Sequence, residues 1–338
     1  TAFLWPAKGR QNLKVMTEAA VTKLIVRDGA AVGVELIQHS RSQIFSAQAE
    51  IILTAGAIGS PHILQLSGIG SGKLCQSHGI VNVCDQPNVG KHLQDHLGIN
   101  YFHLANRPTL NNVLGSWPHL IIAGVNYIMR RQGPLSLGVN QLGGLVRATP
   151  DAPRLDTQLY INPITYSVTD GDTRRLTKPD RAPGFALSFN SCRPYSAGSV
   201  YIKSADAATP PAIHGNYLDD QRDIDDVLRM ARFIGRMQNS PSVQKLLAAP
   251  PEINLLALSE DKIIEDFRAR SGTVFHPCGT CRMGPDRRHS VVDSQLRVYG
   301  VDKLRVADAA IFPNITSANT NAPTIAVAHK AADLILQS

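Results

Sequence analysis

A chain of 338 residues is long enough for one large or two moderate domains, and 43% hydrophobic with 18% charged residues suits a globular protein with a sizeable core. The formal net charge is +7, but the basic residues are scattered and no basic run alternates with aromatics, which argues against a nucleic-acid-binding surface. The most apolar run, from Leu120 to Met129, is about half the length of a membrane span, so no transmembrane segment is predicted.

The first ninety residues are predicted to form short strands joined by tight turns. Runs rich in β-branched residues, broken at Gly29 and Gly56, predict strands in LKVMTEA, VTKLIVRDG, AVGVELI and EIILTAG. Ser60 and Pro61 predict the start of a short helix, and Gly68 follows its end. Strands followed by a helix indicate part of an α/β layer.

The middle of the chain, from about residue 96, is predicted to mix turns, strands and amphipathic helices. An amphipathic segment lies near Trp117 to Met129, and GFALSFNSCRPYSAGSVYIKS is predicted to be a β-hairpin. One apolar stripe predicts a helix from Asp219 to Met237, and Ser259 is a predicted N-cap of the next helix.

The last sixty residues are predicted to return to α/β structure. LRVADAAIFP is expected to be a buried strand that ends at Asp308. NAPTIAVAHKAADLIL is expected to be a closing helix, with Asn321 as its N-cap and Pro323 in its first turn.

The segment FHPCGTCRMG, residues 275–284, combines one histidine with a Cys-x-x-Cys pair. Zinc deaminases need an additional H-x-E, which the sequence lacks, and no second Cys or His pair completes a structural zinc site. A thioredoxin-like dithiol would lie at a helix N-terminus after a strand, whereas this pair lies between Pro277 and Met283-Gly284 in a predicted loop. No metal is therefore predicted, and both thiols are expected to pack against neighbouring side chains.

The remaining cysteines also form no evident framework. The five cysteines are an odd number at irregular spacing, which argues against secreted disulfides and for a reducing compartment. A cytoplasmic location is the corresponding expectation.

Four segments together resemble the glucose–methanol–choline (GMC) oxidoreductases, FAD enzymes that oxidise alcohols. GAIGSPHILQLSGIG matches one of the family's signature patterns, and VGKHLQDH resembles another segment, with His92 in place of the usual asparagine. FHPCGTCRMG resembles the active-site loop, and the sequence from Val291 to Ile335 is similar to the closing segment. The resemblance covers nearly the whole chain.

The resemblance implies specific roles. His276 corresponds to the catalytic histidine, and Asn319 to its histidine or asparagine partner; from spacing alone, Asn319 also suits an ordinary turn. FAD is the implied cofactor, a small alcohol the substrate, and oxygen or a quinone-like molecule the electron acceptor. The positions that match the family's FAD contacts are Val21, Asp308, Ala309, Asn321 and Ala322.

The implied fold is a mixed α/β (α+β) protein with an incomplete FAD-binding domain. Residues 1–96 and 271–338 would belong to that domain, and residues 97–270 would form a substrate-binding domain with an antiparallel sheet and helices. No G-x-G-x-x-G segment occurs, so the nucleotide-binding start is expected to be missing and an N-terminal FAD-binding segment becomes a possible partner. A hydroxynitrile lyase of the same family and a fragment inactive by itself remain alternatives.

Overall fold

The computed structural model describes residues 2–138, 140–170 and 175–337, and it has the predicted mixed α/β architecture with several antiparallel sheets. The α-helices, in chain order, are α1 (Leu4–Ala7), α2 (Gly56–Leu66), α3 (Gly72–Ser77), α4 (Leu110–Leu114), α5 (Trp117–Arg130), α6 (Gln221–Gln238), α7 (Pro241–Gln244), α8 (Glu260–Arg270) and α9 (Asn321–Leu336). The strands are β1 (Ala19–Arg27), β2 (Ala30–Gln38), β3 (Arg41–Ser46), β4 (Ile51–Leu53), β5 (Ile69–Gly70), β6 (Cys84–Asp85), β7 (Lys91–Leu93), β8 (Leu97–Leu104), β9 (Leu142–Val146), β10 (Thr157–Asn162), β11 (Tyr166–Asp170), β12 (Arg175–Pro179), β13 (Gly184–Ser191), β14 (Gly198–Tyr201), β15 (Ala212–His214), β16 (Gly272–Thr273) and β17 (Leu304–Val306).

The first hydrophobic core joins the two ends of the described chain. It contains side chains from residues 24–89 and from residues 278–331. Strands β1, β2 and β3 form an antiparallel sheet, and the backbone N–H of Leu24 donates to the Ser67 hydroxyl just after α2 at 2.7 Å. Strand β17 pairs in parallel with β4, so the C-terminal segment returns to the N-terminal one.

The second core lies under a five-stranded antiparallel sheet with the order β16-β8-β13-β10-β9. Its buried side chains come from residues 99–267. Helix α6 packs on β13 and against α8, burying Val227, Ala231 and Ile234 of the predicted helical stripe. Asp220 and Ser259 cap α6 and α8 by accepting backbone N–H bonds, as Ser259 was predicted to do.

Some predicted boundaries are wrong. Most of LKVMTEA lies outside regular structure, because β1 begins only at Ala19. Helix α2 begins at Gly56, so Pro61 lies inside its first turns rather than at its start. Asn321 is the first residue of α9, and the capping position is Thr320, whose side chain makes no capping bond.

The predicted hairpin at residues 184–204 is also wrong. Strand β13 pairs with β8 on one edge and with β10 on the other. Strand β14 instead joins β15 and β7 in a separate sheet. Because both edges of β13 are used by distant strands, its sequence neighbour has no free edge to pair with. The alternation that predicts a strand does not identify the partner.

Two elements of the first core keep apolar side chains in solvent. Of the sixteen residues of α9, only Ala331 is buried, and Ile325 is 42% exposed. In β4, Ile52 is 39% exposed although parallel strands are usually covered on both faces. Among the described residues, no helix has both the length and the hydropathy needed to cross a bilayer.

Candidate active site

His276 lies in the loop that follows β16, and the segment between β7 and β8 holds this loop in place. Gln94 and Cys278 exchange two backbone hydrogen bonds of 3.0 and 2.9 Å. The backbone N–H of Val274 donates to the carbonyl of His96 at 3.1 Å. The loop is thus pinned on both sides of His276, whose side chain is only 8% exposed.

Asp95 anchors the same loop through its carboxylate. One oxygen accepts the backbone N–H of His276 at 2.8 Å, and the other accepts the hydroxyls of Tyr217, at 2.7 Å, and of Thr273. A buried carboxylate with three donors is well satisfied, and it holds the backbone on which the histidine is mounted.

Three residues with positive φ shape the approach of the two segments. Gly279 has φ +85°, and a Cβ at this position would lie 2.5 Å from the carbonyl oxygen of His92, so only glycine fits. His92 itself has φ +63°, a conformation that asparagine and histidine adopt more readily than most residues. Both histidine and the asparagine usual in the resembled segment can adopt this conformation. Phe275, with φ +62°, is 82% exposed beside His276.

A chain of side-chain contacts crosses the site. His96 Nδ1 lies 2.9 Å from His276 Nδ1, and His276 Nε2 lies 3.0 Å from the side-chain nitrogen of Asn319. His96 Nε2 lies 3.1 Å from the carbonyl oxygen of Cys192. His276 and Asn319, 43 positions apart in sequence, are therefore brought together as predicted.

Strand β10 orients the amide of Asn319. Gln158 donates from Nε2 to Asn319 Oδ1 at 2.9 Å, and the Tyr160 hydroxyl donates to the same oxygen at 3.3 Å. Because both donors occupy the oxygen side, the NH₂ group of Asn319 faces His276.

His276 and Asn319 border a cavity of about 650 Å³ on the second core's sheet. The cavity is large enough for a small organic molecule together with part of a cofactor. The lining side chains are mostly polar or aromatic and include Asn100, Phe102, Tyr160, Asn162, Tyr166, Ser188, Asn190, Arg270, Thr273 and Phe275.

The electrostatics of the site favour neutral imidazoles. Burial lowers the pKa of His276 below its ordinary value of 6.5, and the negative charge of Asp95 opposes this only in part. Burial also lowers the pKa of His96. His276 is thus unprotonated near neutral pH, the state in which an imidazole can accept a proton.

The residues predicted to contact FAD lie in three separate segments. Val21 lies in β1, whereas Asn321 and Ala322 are exposed at the N-terminus of α9, two and three residues after Asn319. Ala309 begins a short 3₁₀ turn directly after Asp308. A contact between these residues and FAD stays a prediction.

The Asp308 carboxylate is fully engaged within the protein. It accepts from the backbone N–H groups of Ala310, at 2.7 Å, and Gly56, at 2.9 Å, and from the Ser60 hydroxyl at 2.5 Å. It therefore joins the 3₁₀ turn to the start of α2, as a capping residue does.

The cysteines have the packing role that the sequence predicts. All five are free and buried, and the described residues contain no group of three His, Cys, Asp or Glu side chains suited to a metal. Burial, assisted by the charge of Asp95, raises the pKa of Cys278 to about 12, and burial raises that of Cys281 well above its ordinary value. These raised pKa values disfavour the thiolate that redox or metal chemistry requires.

We expect the native protein to resist thiol reagents such as DTNB. All five cysteines are buried, so the reagent reaches them only after local or global opening. A time course of DTNB absorbance should show almost no native reaction and five thiols per chain after addition of guanidinium. Rapid labelling of Cys278 or Cys281 in the folded protein would contradict the packing role.

Sequence reasoning missed part of the site. The HLQDH segment was recognised, but the functions of Asp95 and His96 in holding His276 follow only from the fold. Gln158 and Tyr160 carried no sequence signal, because they reach Asn319 across 161 and 159 positions from an ordinary strand.

Comparison with known proteins gives a consistent result at two levels. The family described as GMC oxidoreductase matches residues 1–98 and residues 194–328. An alcohol dehydrogenase [acceptor] of Pseudomonas putida is 38% identical over 99% of this chain, and the mitochondrial choline dehydrogenase of Homo sapiens is 35% identical over 99%. The match covers 60% and 55% of those two relatives, so the chain spans well under two thirds of their length.

A solved structure has the same fold. Formate oxidase of Aspergillus oryzae RIB40, in a study of its FAD modification, superposes with a TM-score of 0.87 at 25% identity. The superposition covers 97% of this chain and 62% of the formate oxidase chain.

Proposed function

The chain belongs to the GMC oxidoreductase family, and from this premise we propose that it oxidises an alcohol to an aldehyde or ketone with FAD as cofactor. The observation that carries the proposal is the pair of His276 and Asn319, 3.0 Å apart at the edge of the cavity. A neutral imidazole beside an amide donor can take the hydroxyl proton of an alcohol and stabilise the oxygen that remains.

The chain's own residues would handle the proton. His276 Nε2 borders the cavity and accepts the proton of the substrate hydroxyl, while Asn319 donates its amide hydrogen to the developing alkoxide oxygen. When bound, the flavin supplies the acceptor for the hydride that leaves the carbinol carbon. The buried loop contacts around Asp95 keep the imidazole in place during this transfer.

The residues present fit the isoalloxazine end of a flavin. The N-terminus of α9 has no side-chain cap, and Asn321 and Ala322 are exposed there, immediately after Asn319. An uncapped helix N-terminus offers backbone N–H groups and a partial positive charge to an anionic ring. Asn321, Ala322, the backbone of Asp308 and Ala309, and Val21 are the residues proposed to hold FAD.

A pyrophosphate cradle of the G-x-G-x-x-G type is not among these residues. We therefore assign binding of the FAD pyrophosphate to an N-terminal FAD-binding segment. The two relatives, of which the match covers 60% and 55%, are long enough to contain such a segment.

The cavity favours an uncharged alcohol. Among the described lining residues no carboxylate occurs, and the charged side chain is Arg270, which is paired with Asp266. A quaternary ammonium such as that of choline would meet no carboxylate there, only aromatic ring faces such as those of Phe102 and Tyr166. A neutral hydroxylated substrate can instead bond to Asn100, Ser188 and Asn190. We propose that oxygen or a quinone-like acceptor reoxidises the reduced flavin. The proposed location is the cytoplasm.

Anaerobic mixing of the FAD-loaded protein with alcohols tests this function. We expect neutral primary or secondary alcohols to bleach the visible flavin band, and choline at equal concentration to bleach it more slowly. Faster bleaching by choline would contradict the proposed substrate class. Absence of bleaching with every alcohol, together with cyanide release from a cyanohydrin, would instead identify a hydroxynitrile lyase.

A further inference from the structure

The contact between His96 and His276 joins two Nδ1 atoms. Which ring donates the hydrogen bond therefore depends on the other hydrogen-bond partners of the two histidines. A neutral imidazole has one N–H donor and one acceptor nitrogen. The Nδ1···Nδ1 distance of 2.9 Å therefore requires that one ring donates and the other accepts.

The contact with Cys192 decides which nitrogen of His96 carries the proton. The Cys192 carbonyl oxygen only accepts, so His96 Nε2, 3.1 Å away, carries the proton. His96 is fully buried, and burial disfavours its charged form more than the backbone contacts with Cys192 and Thr316 favour it, so its Nδ1 is the unprotonated acceptor. His276 must then donate from Nδ1.

The Asn319 end gives the same answer independently. Gln158 and Tyr160 donate to Asn319 Oδ1, which leaves the Asn319 NH₂ group pointing at His276 Nε2. A donor at this distance requires His276 Nε2 to be an acceptor. Both ends of the network thus assign the proton of His276 to Nδ1 and a lone pair to Nε2.

We infer that His96 is a positioning residue whose Nδ1 holds His276 in the tautomer that presents its basic nitrogen, Nε2, to the cavity. The catalytic consequence rests on the proposed function, but the tautomer does not. Without an acceptor at Nδ1, His276 could carry its proton on Nε2 and would then have no basic nitrogen at the cavity.

A histidine as the partner of His276 Nδ1 affects the charge of His276 differently from a carboxylate. A carboxylate bonded to the ring would also fix the tautomer but would favour the protonated imidazolium. Asp95 is close, yet its carboxylate accepts the backbone N–H of His276 and the hydroxyls of Tyr217 and Thr273 rather than a ring N–H. His96 supplies a neutral acceptor, so the tautomer is set while the ring stays unprotonated.

Long-range ¹⁵N–¹H NMR of ¹⁵N-histidine-labelled protein tests the inference without any reaction. We expect a single neutral state of His276 with the proton on Nδ1, its signals being assigned by their loss in His276→Asn. In His96→Leu, which has no acceptor, we expect a mixture of tautomers. His96→Asn, whose amide oxygen can replace Nδ1 as acceptor, should restore the single state. A wild-type His276 protonated on Nε2 overturns the inference, and this measurement needs only the assignment variant His276→Asn to fold.

Kinetics of the FAD-loaded protein supply the second readout. We expect His96→Leu to lower kcat for alcohol oxidation by about 10- to 100-fold with little change in KM, and His96→Asn to recover most of the loss. The matched control is His103→Asn, a buried histidine bonded to Gln238 in the second core, which should leave the His276 spectrum unchanged. An unchanged kcat in His96→Leu overturns the inference. If wild-type His276 carries its proton on Nδ1 but no alcohol bleaches the flavin, the proposed function fails and the tautomer assignment stands.

Discussion

Replacement of His276 by alanine is expected to lower the rate of flavin reduction by an alcohol about 10²–10⁴-fold, the range that a general base supplies. His276 Nε2 is the ring nitrogen at the cavity edge, and no other histidine lines the described part of that cavity. Stopped-flow measurement of flavin bleaching under anaerobic conditions reports this step directly. The matched control is His39→Ala, an exposed histidine of the turn between β2 and β3, for which no change is expected.

The pH dependence of the wild-type rate provides a check on the same residue. Because burial lowers the pKa of His276, its neutral, basic form should persist to below pH 6.5, and the rate should fall only when the pH drops through that lowered pKa. This acidic limb should vanish in His276→Ala. A variant that kept both the rate and the acidic limb would show that another group is the base.

Replacement of Asn319 by alanine is expected to lower kcat about 10²–10³-fold, as removal of one donor to a developing oxyanion does. The amide hydrogen that contacts His276 Nε2 at rest would contact the substrate oxygen once the proton is transferred. The change should affect kcat more than KM, because the interaction strengthens in the transition state. Steady-state kinetics with a neutral alcohol measure both constants.

Asn314→Ala is the appropriate control for this variant. Asn314 is an exposed asparagine in the same segment, five residues earlier, and should tolerate the change. A loss in Asn319→Ala that appeared in KM alone would show that Asn319 binds substrate without stabilising the alkoxide.

Local sequence chemistry predicted elements whose stability is decided within a few residues. The stripe of α6 and the cap at Ser259 were confirmed because helix periodicity and capping act over one or two turns. The hairpin at residues 184–204 was wrong because strand pairing is decided by which edges are free, and β13 lies between β8 and β10. Pro61 was misplaced because the Ala57 carbonyl, which the missing Pro61 N–H leaves without a partner in α2, accepts the Thr280 hydroxyl at 2.6 Å from a distant segment.

The residues of the candidate site also divide into those that the sequence could identify and those that only the fold reveals. Gly279 and His92 could be recognised from a motif because their backbone conformations depend on residue type at one position. Gln158 and Tyr160 could not, since polar residues on a strand contact Asn319 only after the five-stranded sheet has formed. The Cys-x-x-Cys pair suggested chemistry from spacing alone, but both thiols are buried, which raises their pKa and disfavours the reactive thiolate.

The sequence by itself determined the family resemblance, the mixed α/β class and the identity of His276 and Asn319 as the candidate pair. These depend on contiguous motifs and local propensities. Only the tertiary structure decided which nitrogen of His276 faces the cavity, because that depends on His96, Cys192 and Asn319 meeting from separate segments. Hydrogen-bond polarity passes through contacts in space, and a linear pattern of residues does not contain those contacts.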